Sequence, residues 1–234
     1  MLKKLIISTI ILFCLAVSTW QISKSRNFQF FGELIPRLET DTKIVALTFD
    51  DGPSNLQRTN DVIATLDKLN IKGTFFLNGS NIERNLTATK NLITAGHDIG
   101  NHSYSHHRMV FMAMDKVKNE VDSTTNLIRE AGYEGTIYFR PPYGKKLFTL
   151  PYYLANEGII TVTWDVEPES YKDIKQDPQL IADHVLDSVK PGSIILLHAL
   201  GSNNKASRES IPLIVNGLHD QGFEFVTLSK LLTQ

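Results

Sequence analysis

The chain has a single cysteine, Cys14, and it lies inside the one long apolar run of the sequence. Downstream of that run there is no thiol. This excludes a disulfide framework, a thiolate metal ligand and a cysteine nucleophile. Phe13, just before Cys14, is too bulky for a lipoprotein signal, so lipidation is not expected. Net charge is also lacking: 24 basic against 25 acidic residues give a formal −1. No basic stripe marks a nucleic-acid partner, and none is expected. Repeats and low-complexity tracts are absent as well. What remains is 234 residues, 42% hydrophobic and 21% charged. That is globular composition, long enough for one domain with a full core.

The apolar run opens the chain. Lys3 and Lys4 precede a nearly unbroken hydrophobic stretch from Leu5 to Val17, and Ala16-Val17-Ser18 offers the small residues of a cleavage site. That is a secretory pattern. The stretch is short for a membrane span, which takes about 20 residues, but Trp20 and Ile22 lengthen it. Residues 1–22 therefore read as a signal peptide or a retained membrane anchor. Either one exports the remainder to the cell envelope or beyond. Loss of Lys3 and Lys4, with no acid, would leave 22 basic against 25 acidic residues, a net −3. Residues 23–42 read as a linker or strap, and 43–234 as a single domain, expected to be a monomer.

Within that domain, short runs rich in β-branched and aromatic residues alternate with helical patterns. Predicted strands are 44–49, 74–77, the neighbourhood of Ile99, 136–139, 159–163, 194–197 and 223–226. Predicted helices are 59–69, 83–95, 115–131, 178–189, 208–221 and 228–232. Gly96, Gly132 and Gly222 stop three of them, and Asp177-Pro178 starts another. Such alternation specifies parallel strands with crossover helices. About seven units suit a barrel, complete or incomplete, better than a small open sheet.

α/β folds place their sites at the carboxyl ends of strands, and the conspicuous polar residues fall there. Asp50-Asp51 follow the first run. Asn101 to His107 follow the third, Arg140 to Gly144 the fourth, Trp164 to Glu167 the fifth and His198 the sixth. His102 and His106, four apart, can aim two imidazoles at one point. A nearby carboxylate completes a His₂-carboxylate set suited to Zn²⁺, Co²⁺ or Fe²⁺. Two loop histidines in ordinary hydrogen bonds are the plainer alternative. Of the adjacent acids, one can hold a metal and the other act as base. A turn at Asp51-Gly52-Pro53 explains one aspartate but not the one that ends an apolar run. Burying Asp50 needs a compensating partner, and Arg140 is the candidate. His97, His107, His184 and His219 read as turn, loop or helix-surface residues. Ser103 and Ser105 read as supports of the ligand loop, and Asn78 as a residue bordering the cleft.

TFDDGP (48–53), NHSYSH (101–106), RPPYG (140–144), WDVEPES (164–170) and LLH (196–198) resemble, in order and spacing, the five motifs of the polysaccharide deacetylase family. This is carbohydrate esterase family 4, with the NodB homology domain. The resemblance runs from about Lys43 to the C-terminus. It implies an α/β fold, a distorted (β/α)7-type barrel, for residues 43–234. It further implies that Asp51, His102 and His106 bind a divalent metal, usually zinc with cobalt possible. Asp50 would be the base and Arg140 its ion-pair partner. The Tyr143 N–H would help hold the oxyanion, Leu196 with an aromatic of the fourth motif would line the acetyl pocket, and His198 would be the acid; Trp164 reads as a wall of the cleft. The implied activity is hydrolytic removal of acetyl groups from an N-acetylated polysaccharide, peptidoglycan first and chitin-like polymers next. O-deacetylation and non-catalytic glycan binding are the alternatives.

The fourth motif departs from the family. Ser170 stands where the acid that tunes the catalytic histidine usually sits, and Tyr171 stands for the tryptophan. Glu167 or Asp165 is the expected substitute acid, and Tyr171 the expected aromatic wall. Altered pH dependence or substrate preference is expected from this, not loss of activity.

Overall fold

β2 (Ile44–Asp50) is buried along its whole length, as an apolar run without alternation must be when both faces are covered. In the computed structural model, which describes residues 2–233, it is the hub of the sheet. It pairs in parallel with β3 (Thr74–Leu77) and β6 (Ile194–Leu197), and its first half with β7 (Glu224–Val226). β3 pairs in parallel with β4 (Asp98–Asn101). Strand alternation then divides the core. Val45, Leu47 and Phe49 pack outward with Val62 and Leu66 of α2 (Leu56–Lys68) and Ile211 and Ile214 of α8 (Lys205–Asp220). Ile44 and Ala46 face inward with Phe76, Val162, Trp164 and Leu196. Thr48 and Asp50 continue that inward row to the mouth of the barrel.

The regular ladders do not close. Phe139 makes single parallel bridges to Asn101 and Thr161, and Val166 one to Ile195, and these carry the pairing around the circuit. The barrel is therefore distorted. Residues 136–139, predicted as a strand, shrink to these bridges. Pro141 and Pro142 offer no N–H, so the ladder stops at Arg140. The predicted strand 159–163 is reduced to β5 (Thr161–Val162), which finds only the two-residue Leu34–Ile35 pairing and the Phe139 bridge as partners.

The helices lie close to expectation, with two differences. Residues 83–95 break into α3 (Gly79–Arg84) and α4 (Leu86–Thr94) at Asn85, whose side-chain amide donates to the Pro53 carbonyl at 3.0 Å. α6 (Thr149–Asn156) was not predicted; Pro151 in its first turn, where proline is tolerated, masks it. α5 (Met114–Glu130), α7 (Pro178–Ser188) and α9 (Leu228–Leu231) complete the domain.

The segment before β2 is tied down. α1 (Leu2–Ser23) projects from the domain, and β1 (Leu34–Ile35) pairs in parallel with β5. Between them the Thr163 hydroxyl donates to the Arg26 carbonyl at 2.7 Å, and beyond β1 the Leu38 N–H donates to the Gly192 carbonyl at 3.0 Å. Gly192, at φ 79°, would bring a Cβ within 2.0 Å of the Leu38 oxygen, so only glycine fits beneath the strap.

Phe75, fully buried, stacks on Phe49 with ring centroids 4.7 Å apart. Phe75→Ala is expected to cost about 3–5 kcal/mol, read as a lowered denaturation midpoint.

Candidate active site

Asp50 ends β2, and Asp51 leaves it with a left-handed backbone (φ 65°). The turn lifts Asp51 out of the strand's alternation, and the two carboxylates part. Asp50 Oδ1 accepts from Arg140 Nη1 at 2.7 Å. Asp51 Oδ1 lies 3.3 Å from His106 Nε2 and 3.9 Å from His102 Nε2.

Arg140 is fully buried. Its guanidinium also donates to the Thr48 hydroxyl at 2.8 Å and the Thr163 and Val162 carbonyls at 2.9 and 3.3 Å. It lies over the Phe76 ring at 4.0 Å. Asp50 is 2% exposed. Burial alone would raise its pKa, but Arg140, then His102 and His198, outweigh burial and hold the carboxyl below its ordinary range. It is ionised and kept so although buried.

His102 Nδ1 is 2.7 Å from the Arg140 carbonyl. That contact assigns the proton to Nδ1 and turns the Nε2 lone pair toward both carboxylates, 3.6 Å from Asp50 Oδ2 and 3.9 Å from Asp51 Oδ1. Burial, then His102, lowers the His106 pKa, favouring the neutral imidazole a metal requires. The loop between them is held from several sides. Asn101 Oδ1 accepts the Ser103 N–H at 2.9 Å, and the Ser103 hydroxyl accepts the His106 N–H at 3.1 Å. Asn78 donates to the His102 carbonyl at 3.0 Å. Glu120 of α5 accepts the Tyr104 and Ser105 N–H groups at 2.9 and 2.8 Å. Asp51, Ser103, His106 and Tyr143 are four of the five non-glycine residues with positive φ among the described residues. Such backbone costs about 1–3 kcal/mol each and gathers at functional sites.

The ligand atoms of Asp51, His102 and His106 lie within 4.8 Å of one another. Two imidazoles and a carboxylate, with a cleft on the open side, fit a divalent cation of the zinc type. His107 stands apart, hydrogen-bonded to Ser105 at 2.6 Å.

These groups share a cavity of about 340 Å³ with Tyr143, Trp164, Leu196 and His198. The Tyr143 ring packs 4.7 Å from His106, with the Arg108 guanidinium 4.8 Å from its centroid. Gly144 (φ 64°) would place a Cβ 3.2 Å from Trp164, so glycine lets the Tyr143 loop close against that wall. A larger depression of about 600 Å³ opens near Asp122, Arg129 and Glu157. It holds no histidine and no buried ion pair, so the chemistry belongs to the smaller cavity.

The fourth motif differs from expectation. His198 Nδ1 meets Glu169 Oε2 at 2.6 Å, and neither Asp165 nor Glu167 reaches it. Asp165 is drawn to the Ser193 hydroxyl and the Ile194 N–H at 2.7 and 2.8 Å. Glu167 accepts the Trp164 indole N–H at 2.9 Å. The chain turns through a short 3₁₀ helix at Pro168–Ser170, which swings Glu169 inward one residue before the family position. Ser170 lines the cavity, but Tyr171 does not supply the expected wall. It is 53% exposed and packs on His184 of α7 at 4.8 Å. Burial opposes charge on His198, but the Glu169 hydrogen bond and charge, then Asp50 and Asp51, raise its pKa to about 9.

Glu169 was missed because alignment to the motif pointed one residue later. Glu120 lies on a helix far along the chain and gives no local signal. Glu120→Ala is expected to weaken Zn²⁺ binding about 10–100-fold, read by calorimetry on protein that stays folded.

A model of the family described as polysaccharide deacetylase matches residues 37–162. A peptidoglycan-N-acetylglucosamine deacetylase of Bacillus cereus is 35% identical over 189 residues, covering 80% of this chain and 67% of the relative. The peptidoglycan-N-acetylmuramic acid deacetylase PdaC of Bacillus subtilis is 32% identical over 201 residues; they cover 84% of this chain and 41% of that protein. The crystal structure of the Bc1960 peptidoglycan N-acetylglucosamine deacetylase with 4-naphthalen-1-yl-N-oxidanyl-benzamide superposes with TM-score 0.79 at 31% identity. It covers 86% of this chain and 92% of that one. A mutant of BA3943, a CE4 family pseudoenzyme with restored enzymatic activity, superposes at 0.77 with 26% identity, covering 87% of this chain and 72% of that one. Fold, ordered motifs and relatives agree: the chain belongs to the polysaccharide deacetylase family.

Proposed function

We propose that this protein is an exported, metal-dependent N-deacetylase of an envelope glycan, with peptidoglycan amino sugars as the first candidate. One observation carries the reading. Within one cavity, an ionised Asp50 sits on Arg140, Asp51 sits on two histidines, and a carboxylate-supported His198 lines the same space. The relatives named for peptidoglycan deacetylation point to the substrate.

Asp51, His102 and His106 would hold the cation. When bound it supplies Lewis acidity for an amide carbonyl and lowers the pKa of a water. Asp50, buried and ionised, takes the proton from the attacking water, and Arg140, bonded to Oδ1, keeps its second oxygen aimed. The Tyr143 loop, with its N–H, borders the place where negative charge grows on the carbonyl oxygen. His198, charged through Glu169, gives a proton to the leaving amine. Leu196 and Trp164 wall the space for the acetyl methyl. Beyond His198 a second polar depression of about 350 Å³, with Lys175, Asn203 and Asn204 on its edge, leaves room for a neighbouring sugar.

The full chain with Zn²⁺ and N-acetylglucosamine oligomers or peptidoglycan is expected to release acetate. Chelation abolishes release, and Asp50→Asn lowers kcat about 10²–10⁴-fold. Acetate from O-acetylated material alone would establish an O-deacetylase. Metal retained with no acetate from any acetylated glycan would establish a binding protein. The charged His198 contributes its full stabilisation below the ordinary histidine value of 6.5 and loses it as pH rises from there through about 9. Glu169→Gln removes the cause of the raised pKa. The alkaline limb of the rate profile is therefore expected to move to lower pH, by about one pH unit or more, while the acid limb set by Asp50 stays.

A further inference from the structure

The end of α1 is built into the catalytic domain. Ser23 is fully buried, and its carbonyl accepts the Lys146 N–H at 2.8 Å. The Lys146 ammonium, on a side chain in a residue 1% exposed, donates to the Ser25 carbonyl at 2.5 Å. The Lys145 ammonium lies 4.1 Å from the Trp20 ring. These lysines follow Tyr143 and Gly144 directly, so the helix end and the cleft rim are one structure. Upstream the helix is bare. Ile6–Ser23 is long and apolar enough to cross a membrane, and only 6% of it is buried. The small-residue triplet Ala16-Val17-Ser18 lies inside unbroken helix, not in extended backbone open to a protease.

Around the helix end the surface changes character. Trp20 and Phe111, the latter 79% exposed, line one groove with Arg108 and Lys116. A second cluster lies beyond it. Phe30 packs 4.6 Å from Phe148, and Phe31 packs 5.5 Å from Tyr152. All four of these rings are more than 40% exposed. Phe148 is three residues from Lys145, hence within about 11 Å of it. Lys24 and Arg108 stand close enough to Lys145 that, after its burial, their repulsion lowers the Lys145 pKa. Exposed aromatics beside clustered cations, at the end of an apolar span, are the composition of a membrane–water boundary.

We infer that α1 is retained as a membrane span and that the domain rests on the bilayer through Trp20, Phe111 and the Phe30–Phe148 cluster. Lys24, Arg108 and Lys145 then meet the lipid phosphates. Arg108 contacts Tyr143, and Tyr143 contacts the ligand His106, so the cleft opens close to the lipid surface. On the deacetylase reading above, this sets the substrate class: an N-acetylated glycan attached to or lying against the membrane, not distant polymer.

The test uses the full chain in phosphatidylcholine–phosphatidylglycerol vesicles. Trp20 and Trp164 are its only tryptophans, so Phe30→Trp in a Trp20→Phe background reports the seat, with the background alone as reference. Lipid brominated near the headgroup is expected to quench the added emission at least about twofold. Equal emission in brominated and plain vesicles overturns the seat. Intact mass showing loss of the first 18 residues from the membrane fraction overturns the retained span. The Phe30→Ser, Phe31→Ser, Phe111→Ser variant is expected to keep its rate on soluble N-acetylglucosamine oligomers. It is expected to lose, about tenfold, the advantage that the unsubstituted protein shows on the same sugar tethered to lipid. No such advantage in the unsubstituted protein overturns the substrate class. Acetate from soluble oligomers without quenching leaves the deacetylase and removes the seat; quenching without acetate from any glycan does the reverse.

Discussion

The pairing of Asp50 with Arg140 is the constraint on which the site depends. Two charges sit in the barrel mouth, one 2% exposed and the other fully buried. Removing either partner of such a pair leaves an unpaired buried charge, at a cost of about 3–5 kcal/mol. The fold therefore commits to it. Thr48, one turn of the pleat inward, gives Arg140 a second oxygen, and the short strand β5 with the residue after it gives two carbonyls. Arg140 in turn lends its own carbonyl to His102. One side chain and its backbone thus set the charge of Asp50 and the tautomer of His102 together. Asp51 escapes the pair only because its backbone turns left-handed where the strand ends.

Much of this was legible in the sequence because charge placement carries information that apolar periodicity does not. Asp50 ends an apolar run, so it must be buried, and a buried carboxylate requires a cation. His102 and His106 share a loop, so their spacing could be read locally. The strands that pair along their length, 44–49, 74–77 and 194–197, were legible for the reason that makes them stable: both faces are covered. Residues 136–139 have strand composition but sit between Gly135 and two prolines, and tertiary pairing survives there only at Phe139. Composition cannot report how many neighbours a segment will find.

The fourth motif shows the opposite limit. Motif alignment assumes that equal spacing means equal position. At Pro168–Ser170 the chain winds into a single 3₁₀ turn, and Glu169, not the residue at the family position, faces His198. A longer acid placed one residue earlier reaches the same imidazole. The strap was unreadable for a related reason. Residues 23–38 have no periodicity, yet backbone hydrogen bonds to Lys146, Thr161 and Gly192 make them part of the domain wall.

The division of labour between the two aspartates is tested most directly by anomalous diffraction from crystals of the protein grown with Zn²⁺. The expected result is one peak about 2.0–2.2 Å from Asp51, His102 Nε2 and His106 Nε2, with Asp50 still hydrogen-bonded to Arg140 and off the metal. A peak coordinated by Asp50 in place of Asp51, or no zinc at the His102–His106 pair, would contradict the account.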